Sequence, residues 1–311
     1  MPKKRNLVIL VPLPEHSGTM GTVANHVREI APDIAVHVVR DERRRWKRRL
    51  LALRPTLVFS PARLQHRVGP KRANVFQGAD LGKSEESKRL EAAGVPVPRW
   101  TLLREGENPD LQGFGPYVVR KPDGGARGAD VKIIRRGRVK WRRPTVARNN
   151  NSNLMVQEFV YTGPYPVSYR VSTLLGEVLW ATRVEASRER RPLPTRHAFG
   201  TGGVRGGGVS IVANTRDSTW TLTDDAEILA LARRAAAALP EIPLLGVDLV
   251  RDADTGEVFV IEVNPSGWTW HFSSHRGVSI QRDNNIDFDA QFGGLRRAAE
   301  ALVRVTREQA R

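Results

Sequence analysis

Two apolar runs, GVDLV (246–250) and VFVIEVN (258–264), flank the turn sequence DADTG and carry acid and amide side chains inside otherwise β-prone segments. Such runs on either side of an Asp/Gly turn predict an antiparallel hairpin. Side chains alternate along a strand. This puts Val258, Val260, Glu262 and Asn264 on one face and Phe259, Ile261 and Val263 on the other. A hairpin closed around DADTG sets Asp248 opposite Val260, with Glu262 as its diagonal neighbour about 7–8 Å away.

Two carboxylates and a carboxamide thus meet on apolar strands. Buried carboxylates without partners are costly, and a cation offsets that cost. An all-oxygen donor set suits Mg²⁺ or Mn²⁺ better than Zn²⁺. The same residues also allow a plainer arrangement, with Asp248 facing water, Glu262 paired with an arginine and Asn264 opening a turn.

The rest of the chain reads as α/β followed by α+β. Leu7–Val11, Ile34–Val39 and Thr56–Ser60 are strand-like, with helical spacing over Thr22–Ile30 and in the basic stretch 43–54. That alternation predicts a parallel sheet covered by helices. From Lys83 the spacing predicts a helix capped by Ser84 and stopped at Gly94, then a strand at Tyr117–Lys121. A hairpin turning at Gly137 follows, then strands within 154–160 and 169–184. A helix over 224–239 takes Thr223 as its cap, and a last helix lies near 292–305. At about 100–200 residues per domain, 311 residues make roughly two domains, or one with sub-domains.

Composition narrows the function classes. Apolar residues at 40% and charged residues at 27% exclude wholesale disorder and collagen-like or coiled-coil architectures. With no cysteine there is no disulfide, thiolate metal site or cysteine nucleophile. No apolar run approaches the ~20 residues of a membrane helix. The apolar run after the basic start breaks at Pro12, too soon for a secretory leader, so the cytoplasm is the expected location and no membrane partner is expected. The net charge of +17 attracts anions without choosing among nucleic acid, phosphorylated metabolites and acidic peptides.

A second constellation is YVVRKPDGGARG (117–128), in which a strand delivers Lys121 into a turn with Gly124, Gly125 and Gly128. Glycines let backbone N–H groups approach phosphate oxygens, and a lysine adds a point charge. The sequence is not a Walker A loop, and an ordinary turn fits it equally well. Lys83 opens a helix, and LMVQEFV (154–160) is an apolar strand broken by Gln157 and Glu158.

Taken in order, Lys83, GVPVP, Lys121 with its glycine turn, VQEFV and GVD…IEVN resemble the ATP-grasp superfamily over about residues 83–305. The pattern is most similar to the branch of ribosomal-protein glutamate-adding ligases and glutathione synthetases. The resemblance implies an ATP-grasp fold with an N-terminal parallel-sheet α/β domain at 1–82, a small sub-domain at 83–160 and a large one at 161–311. It implies that Lys83 and Lys121 contact ATP phosphates under a lid of Gly124, Gly125 and Gly128. Gln157, Glu158, Phe159 and Val160 would form the adenine hinge. Asp248, Glu262 and Asn264 would hold two Mg²⁺ (or Mn²⁺) ions, and Arg183 and Arg196 would be the catalytic cations on the acyl-phosphate or substrate.

The implied activity is an ATP-dependent carbon–nitrogen ligase, ADP-forming, joining a small-molecule or peptide carboxylate to an amine through an acyl-phosphate. An acidic substrate suits the basic surface. The alternatives are an ATP-grasp kinase, or a degenerate scaffold binding nucleic acid or another polyanion. Two positions depart from the family pattern. Ser168 stands where an acid usually meets the ribose, and Ala198 where that branch carries asparagine.

Four segments are left with paired readings. The runs 43–49 and 135–143 interleave Trp46 and Trp141 with cations, as a solvated face or a nucleic-acid contact would. PSGWTWHFSSHRG (265–277) reads as an acceptor pocket or as core-filling tryptophans. PEHSGTMG (14–21) suits an anion at a helix start or a connecting loop.

Overall fold

The computed structural model describes residues 4–11, 13–40, 53–66, 68–124, 130–145, 151–187, 218–265 and 269–311. The first sheet is parallel, ordered β2-β1-β3-β4, from β1 (Arg5–Leu10), β2 (Ile34–Val39), β3 (Thr56–Phe59) and β4 (Asn74–Phe76). Every residue of β1 after Arg5 is buried, as a strand covered on both faces requires. Helix α1 (Ser17–Ile30) lays Met20, Val23, Ala24 and Val27 on one side of it.

The second sheet is antiparallel, ordered β5-β8-β6-β7, from β5 (Trp100–Leu103), β6 (Tyr117–Pro122), β7 (Lys132–Arg135) and β8 (Leu154–Glu158). Helix α2 (Lys83–Ala92) precedes it. The third sheet, also antiparallel, runs β11-β10-β9-β12-β13. Its strands are β9 (Val167–Leu174), β10 (Glu177–Ala186), β11 (Ser218–Leu222), β12 (Leu244–Arg251) and β13 (Val258–Asn264). Helix α3 (Ala226–Ala237) packs Ile228, Leu231 and Ala235 on one face of this sheet with Val247, Leu249 and Val260.

After β13 come α4 (His275–Asn284), α5 (Phe288–Phe292) and α6 (Gly294–Gln309). Leu295, Ala298 and Leu302 of α6 share a core with Trp180, Trp270 and the α1 face. The chain end closes on the first sheet, where the Thr56 N–H donates to the Arg311 carbonyl at 2.8 Å.

Several local expectations are corrected. Residues 136–138 form a 3₁₀ turn and no strand pairs across Gly137, because β7 pairs with β6 instead. Helix α3 is capped by Asp225, whose carboxylate accepts from the N–H groups of Glu227 and Ile228. Helix α2 begins at Lys83, so Ser84 lies inside it, and the Ser84 N–H donates to Asp123 Oδ1 at 2.8 Å. A carboxylate from the end of β6 thus satisfies an orphan donor that no local side chain reaches. Helix α4 was not foreseen in sequence. Its Gly277 is needed because a Cβ there would meet the His271 carbonyl at 1.9 Å. The basic stretch 43–49 and the loop 188–208 lie outside the described residues.

Candidate active site

The register of β12 and β13 builds the centre of the site. Asp248 pairs directly with Glu262, Leu249 pairs with Val260, and Ile261 is the extra residue of a β-bulge. This corrects the expected pairing of Asp248 with Val260. The bulge also moves the faces by one residue. Val258, Val260 and Val263 pack together in the α3 core, so Glu262 and Asn264 part from Val258 and Val260 and join Asp248 on the other face.

One strand further in, Asp248 pairs with Arg170 on β9. Arg170 Nε donates to Asp248 Oδ1 at 2.6 Å and Nη2 donates to Oδ2 at 2.5 Å, a bidentate contact with both side chains largely buried. Asn264 Nδ2 donates to Asp248 Oδ2 at 3.0 Å. Arg170, Asp248 and Glu262 therefore form one polar row across three strands.

Two lysines reach this row from outside the third sheet. Lys83, in the first turn of α2, places Nζ 3.2 Å from Glu262 Oε1. Lys121 comes from β6 of the second sheet, and its Nζ donates to Gln157 Oε1 at 2.9 Å and to the Ile261 carbonyl at 3.0 Å. The bulge thus supplies the backbone acceptor that ties the two antiparallel sheets together. Glu86, one turn along α2 from Lys83, is buried beside the same group.

Burial and mutual charge shift several members of this cluster. Burial opposes the Lys83 charge, yet the Glu262 carboxylate and then Glu86 hold its pKa above the ordinary lysine value. Burial pulls Lys121 down to about 8, with Glu262 opposing. Burial also drives the Glu86 pKa well up, reinforced by Glu262 and opposed by Lys83 and Lys121. For Glu262, burial raises the pKa, but Lys83 and then Lys121 outweigh it and hold the group ionised. Lys83, Lys121 and Arg170 thus face Asp248 and Glu262, with Glu86 buried beside them.

The residues 82–267 match the family model described as an ATP-grasp domain. The chain belongs to the ATP-grasp family. The matched span holds every member of the polar row and both lysines.

Three solved structures resemble the chain over almost its whole length. ATP-grasp ligase PsnB complexed with minimal precursor is 15% identical, with a TM-score of 0.52, over 97% of this chain and 99% of that one. D-cycloserine synthetase DcsG is 19% identical at a TM-score of 0.49, over 96% and 99%. D-alanine–D-alanine ligase from Bacillus anthracis is 14% identical at 0.49, over 99% of each chain. At such identity the likeness to PsnB is one of fold. No curated protein matches the chain significantly.

Within this ATP-grasp chain the other expected site residues scatter. Glu158 on β8 spends its N–H on the Arg99 carbonyl at 2.7 Å, and its Oε1 accepts from the Gly115 N–H at 3.1 Å. Phe159 is buried with Tyr117, Val119 and Ile133, and Val160 is half-buried just beyond the strand. Gly124 follows β6 in a turn, whereas Gly125, Gly128 and Arg196 lie outside the described residues.

Arg183 is not brought to the row. It pairs across strands with Tyr169, whose side chain lies in the α3 core, so it occupies the face opposite Arg170 and Asp248. There its Nη1 donates to Glu185 at 2.6 Å. Ser168 is buried on β9.

Sequence reasoning missed Arg170, Glu86 and Asp123. Arg170 was visible only through the β9–β12 register, and Glu86 only through its burial on α2.

In the aromatic stretch after β13, Trp270 and His271 lie in the core, and Trp268 lies outside the described residues. Trp270 is fully buried and its Nε1 donates to Thr19 Oγ1 on α1 at 2.9 Å. His271 is buried against Trp180, with Nδ1 2.8 Å from Ser274 Oγ. Burial, then the nearby Arg170, pulls its pKa down to about 3, so the imidazole is neutral at physiological pH. In the 14–21 stretch His16 is buried, its Nδ1 3.1 Å from Ser273 Oγ. That contact makes it a joint between α1 and the loop after β13.

The acid and amide side chains of the row fit a hard divalent cation. Asp248 and Glu262 are direct cross-strand neighbours, and Asn264 adds a carboxamide, giving an all-oxygen set. Among the described residues no cluster of three His, Cys, Asp or Glu competes for a metal. No described helix is long and apolar enough to cross a membrane.

Proposed function

We propose that this chain is an ADP-forming carboxylate–amine ligase that works through an acyl-phosphate. The observation that carries the reading is the convergence of Lys83 and Lys121, from separate elements, on Glu262 and the adjoining Ile261 carbonyl. Two ammonium groups held at one end of a carboxylate row are arranged to grip a triphosphate. The reading divides the chain near residues 82 and 160.

In this reading Lys83 and Lys121 orient the phosphates, and Gln157 holds Lys121 in place. Asp248, Glu262 and Asn264 would hold Mg²⁺, which would supply charge neutralisation at the phosphoryl oxygens. Arg170 fixes Asp248 and adds a cation beside the reacting groups. A substrate carboxylate oxygen attacks the γ-phosphorus as the bond to ADP breaks. An amine then attacks the acyl carbon, phosphate leaves and the amine sheds a proton. Phosphoryl transfer asks the protein for positioning and charge more than covalent chemistry, which suits a site without nucleophile or free thiol.

The test is an ADP-release screen of amino acids and small acids with ATP and Mg²⁺, followed by mass spectrometry. The ligase reading expects acid-dependent ADP release, an amide with the right amine, and a hydroxamate when hydroxylamine replaces it. A stable phosphorylated product formed without an amine requirement would instead make the chain a kinase. Salt-sensitive nucleic-acid binding without ATP turnover would make it a scaffold.

A further inference from the structure

We propose that the outer face and edge of the four-stranded sheet, from Lys132 to Arg143, form a docking surface for an acidic polypeptide segment. Seven lysine and arginine side chains in that stretch are exposed, and residues 131–145 contain no Asp or Glu. None of the seven is ion-paired among the described residues.

Lys132 pairs with Arg120 and shares the face opposite Lys121, whereas Arg135 pairs with Tyr117 on the Lys121 face. Arg120 and Lys121 are neighbours on β6, so their side chains leave opposite faces of the sheet. Lys121 reaches inward to Ile261, while Arg120 Nη1 donates to the Lys140 carbonyl at 2.9 Å and anchors the basic stretch on the outer face. Asp130 is a counter-charge to Arg120, smaller in effect than burial and Arg142. Arg120 is 8% exposed, and its buried Nε has no hydrogen-bond partner among the described residues. Burial and then the charge of Arg142 pull its pKa down.

Two observations favour a polypeptide over nucleic acid. Trp141 is half-buried against the cluster that holds Val118 and Val156, and its Nε1 donates to the Ser152 carbonyl at 3.2 Å, which leaves only part of its ring open to stacking. The exposed large apolar residues, Leu53, Tyr165 and Val278, lie elsewhere. Among the described residues, moreover, β7 ends its sheet and pairs with β6 alone. An extended chain can add along such an edge and set carboxylates against Lys132 on the outer face and the cations that follow β7.

The experiment uses fluorescence anisotropy with the full chain and three labelled probes: a Glu-rich peptide, its Gln counterpart and a mixed-sequence RNA. The expected result is salt-sensitive binding of the Glu peptide at least ~10-fold tighter than of either other probe. Arg135→Glu/Arg138→Glu/Arg142→Glu should weaken it at least ~10-fold with an unchanged melting temperature. Should the reversal unfold the chain, Arg138→Gln/Arg142→Gln is expected to weaken binding several-fold. RNA binding as tightly as the peptide, no binding of any probe, or full affinity in a folded variant would each overturn the proposal.

Discussion

Asp248 and Glu262 face each other directly across β12 and β13 because Ile261 stands between the pairs without a partner of its own. Directly opposed residues bring their Cβ atoms to about 4.5–5.5 Å. Two carboxylates that close repel unless each has a counter-cation. Arg170 supplies one and Lys83 the other, from opposite sides of the row.

Glu262→Gln keeps the shape and removes the charge that faces Lys83 and Lys121. ATP turnover should fall at least ~100-fold, as expected when a charge-positioning group is lost. Stability should drop by about 1–3 kcal/mol, less than for a fully buried pair because 30% of the Glu262 side chain is exposed. Steady-state ADP release and chemical denaturation check the two effects separately.

Asp248→Asn strips the bidentate partner from a buried guanidinium. Breaking one side of such a pair costs about 3–5 kcal/mol. Adding Arg170→Met should recover much of that loss, because no uncompensated charge then remains. Urea denaturation of the two single variants and the double variant reads the coupling.

Lys121→Ala should weaken nucleotide binding by roughly 1.5–3 kcal/mol, the scale of a hydrogen bond to a charged group. Burial holds this ammonium near a pKa of about 8, so wild-type nucleotide affinity should fall as pH rises through that value. The stability sign is opposite. The unfolded lysine keeps its proton to about 10.5, so the cost of burying the charge is felt below pH 8 and is relieved between the two values. Calorimetric titrations across this range should show the affinity step in wild type and none in the variant.

Residue order revealed more of this site than residue spacing did. Asp248, Glu262 and Asn264 could be picked out as polar residues in apolar strands, whereas Lys83 and Lys121 gained their phosphate role from their order in the ATP-grasp resemblance. The face on which Glu262 lies was misread because strict alternation counts Ile261 as paired, and a bulge leaves no mark in a run of β-branched residues. Arg183 was misplaced for a related reason, since pairing with Tyr169 puts it a single residue out of phase with Arg170. Arg170 itself depends on β9 lying beside β12, a long-range pairing that local pattern does not encode. The parallel first sheet was legible because its strands are short, apolar and separated by helical spacing.

His271 should make the fold acid-sensitive. Its pKa falls from 6.5 unfolded to about 3 folded, so the unfolded chain binds the extra proton between those values. Stability from the neutral imidazole is complete above pH 6.5 and is lost as pH falls toward 3. His271→Gln, which keeps a polar partner for Ser274, should be less stable at neutral pH but lose less on acidification. Melting temperatures of both proteins at neutral and mildly acidic pH provide the comparison.

The most direct measurement is calorimetric binding of a non-hydrolysable ATP analogue, with and without Mg²⁺, to wild type, Lys83→Ala, Glu262→Gln and Arg183→Ala. The account predicts Mg²⁺-dependent binding that weakens at least ~10-fold in the first two variants and is unchanged in Arg183→Ala. Equal affinity in all four proteins, or binding indifferent to Mg²⁺, would contradict it.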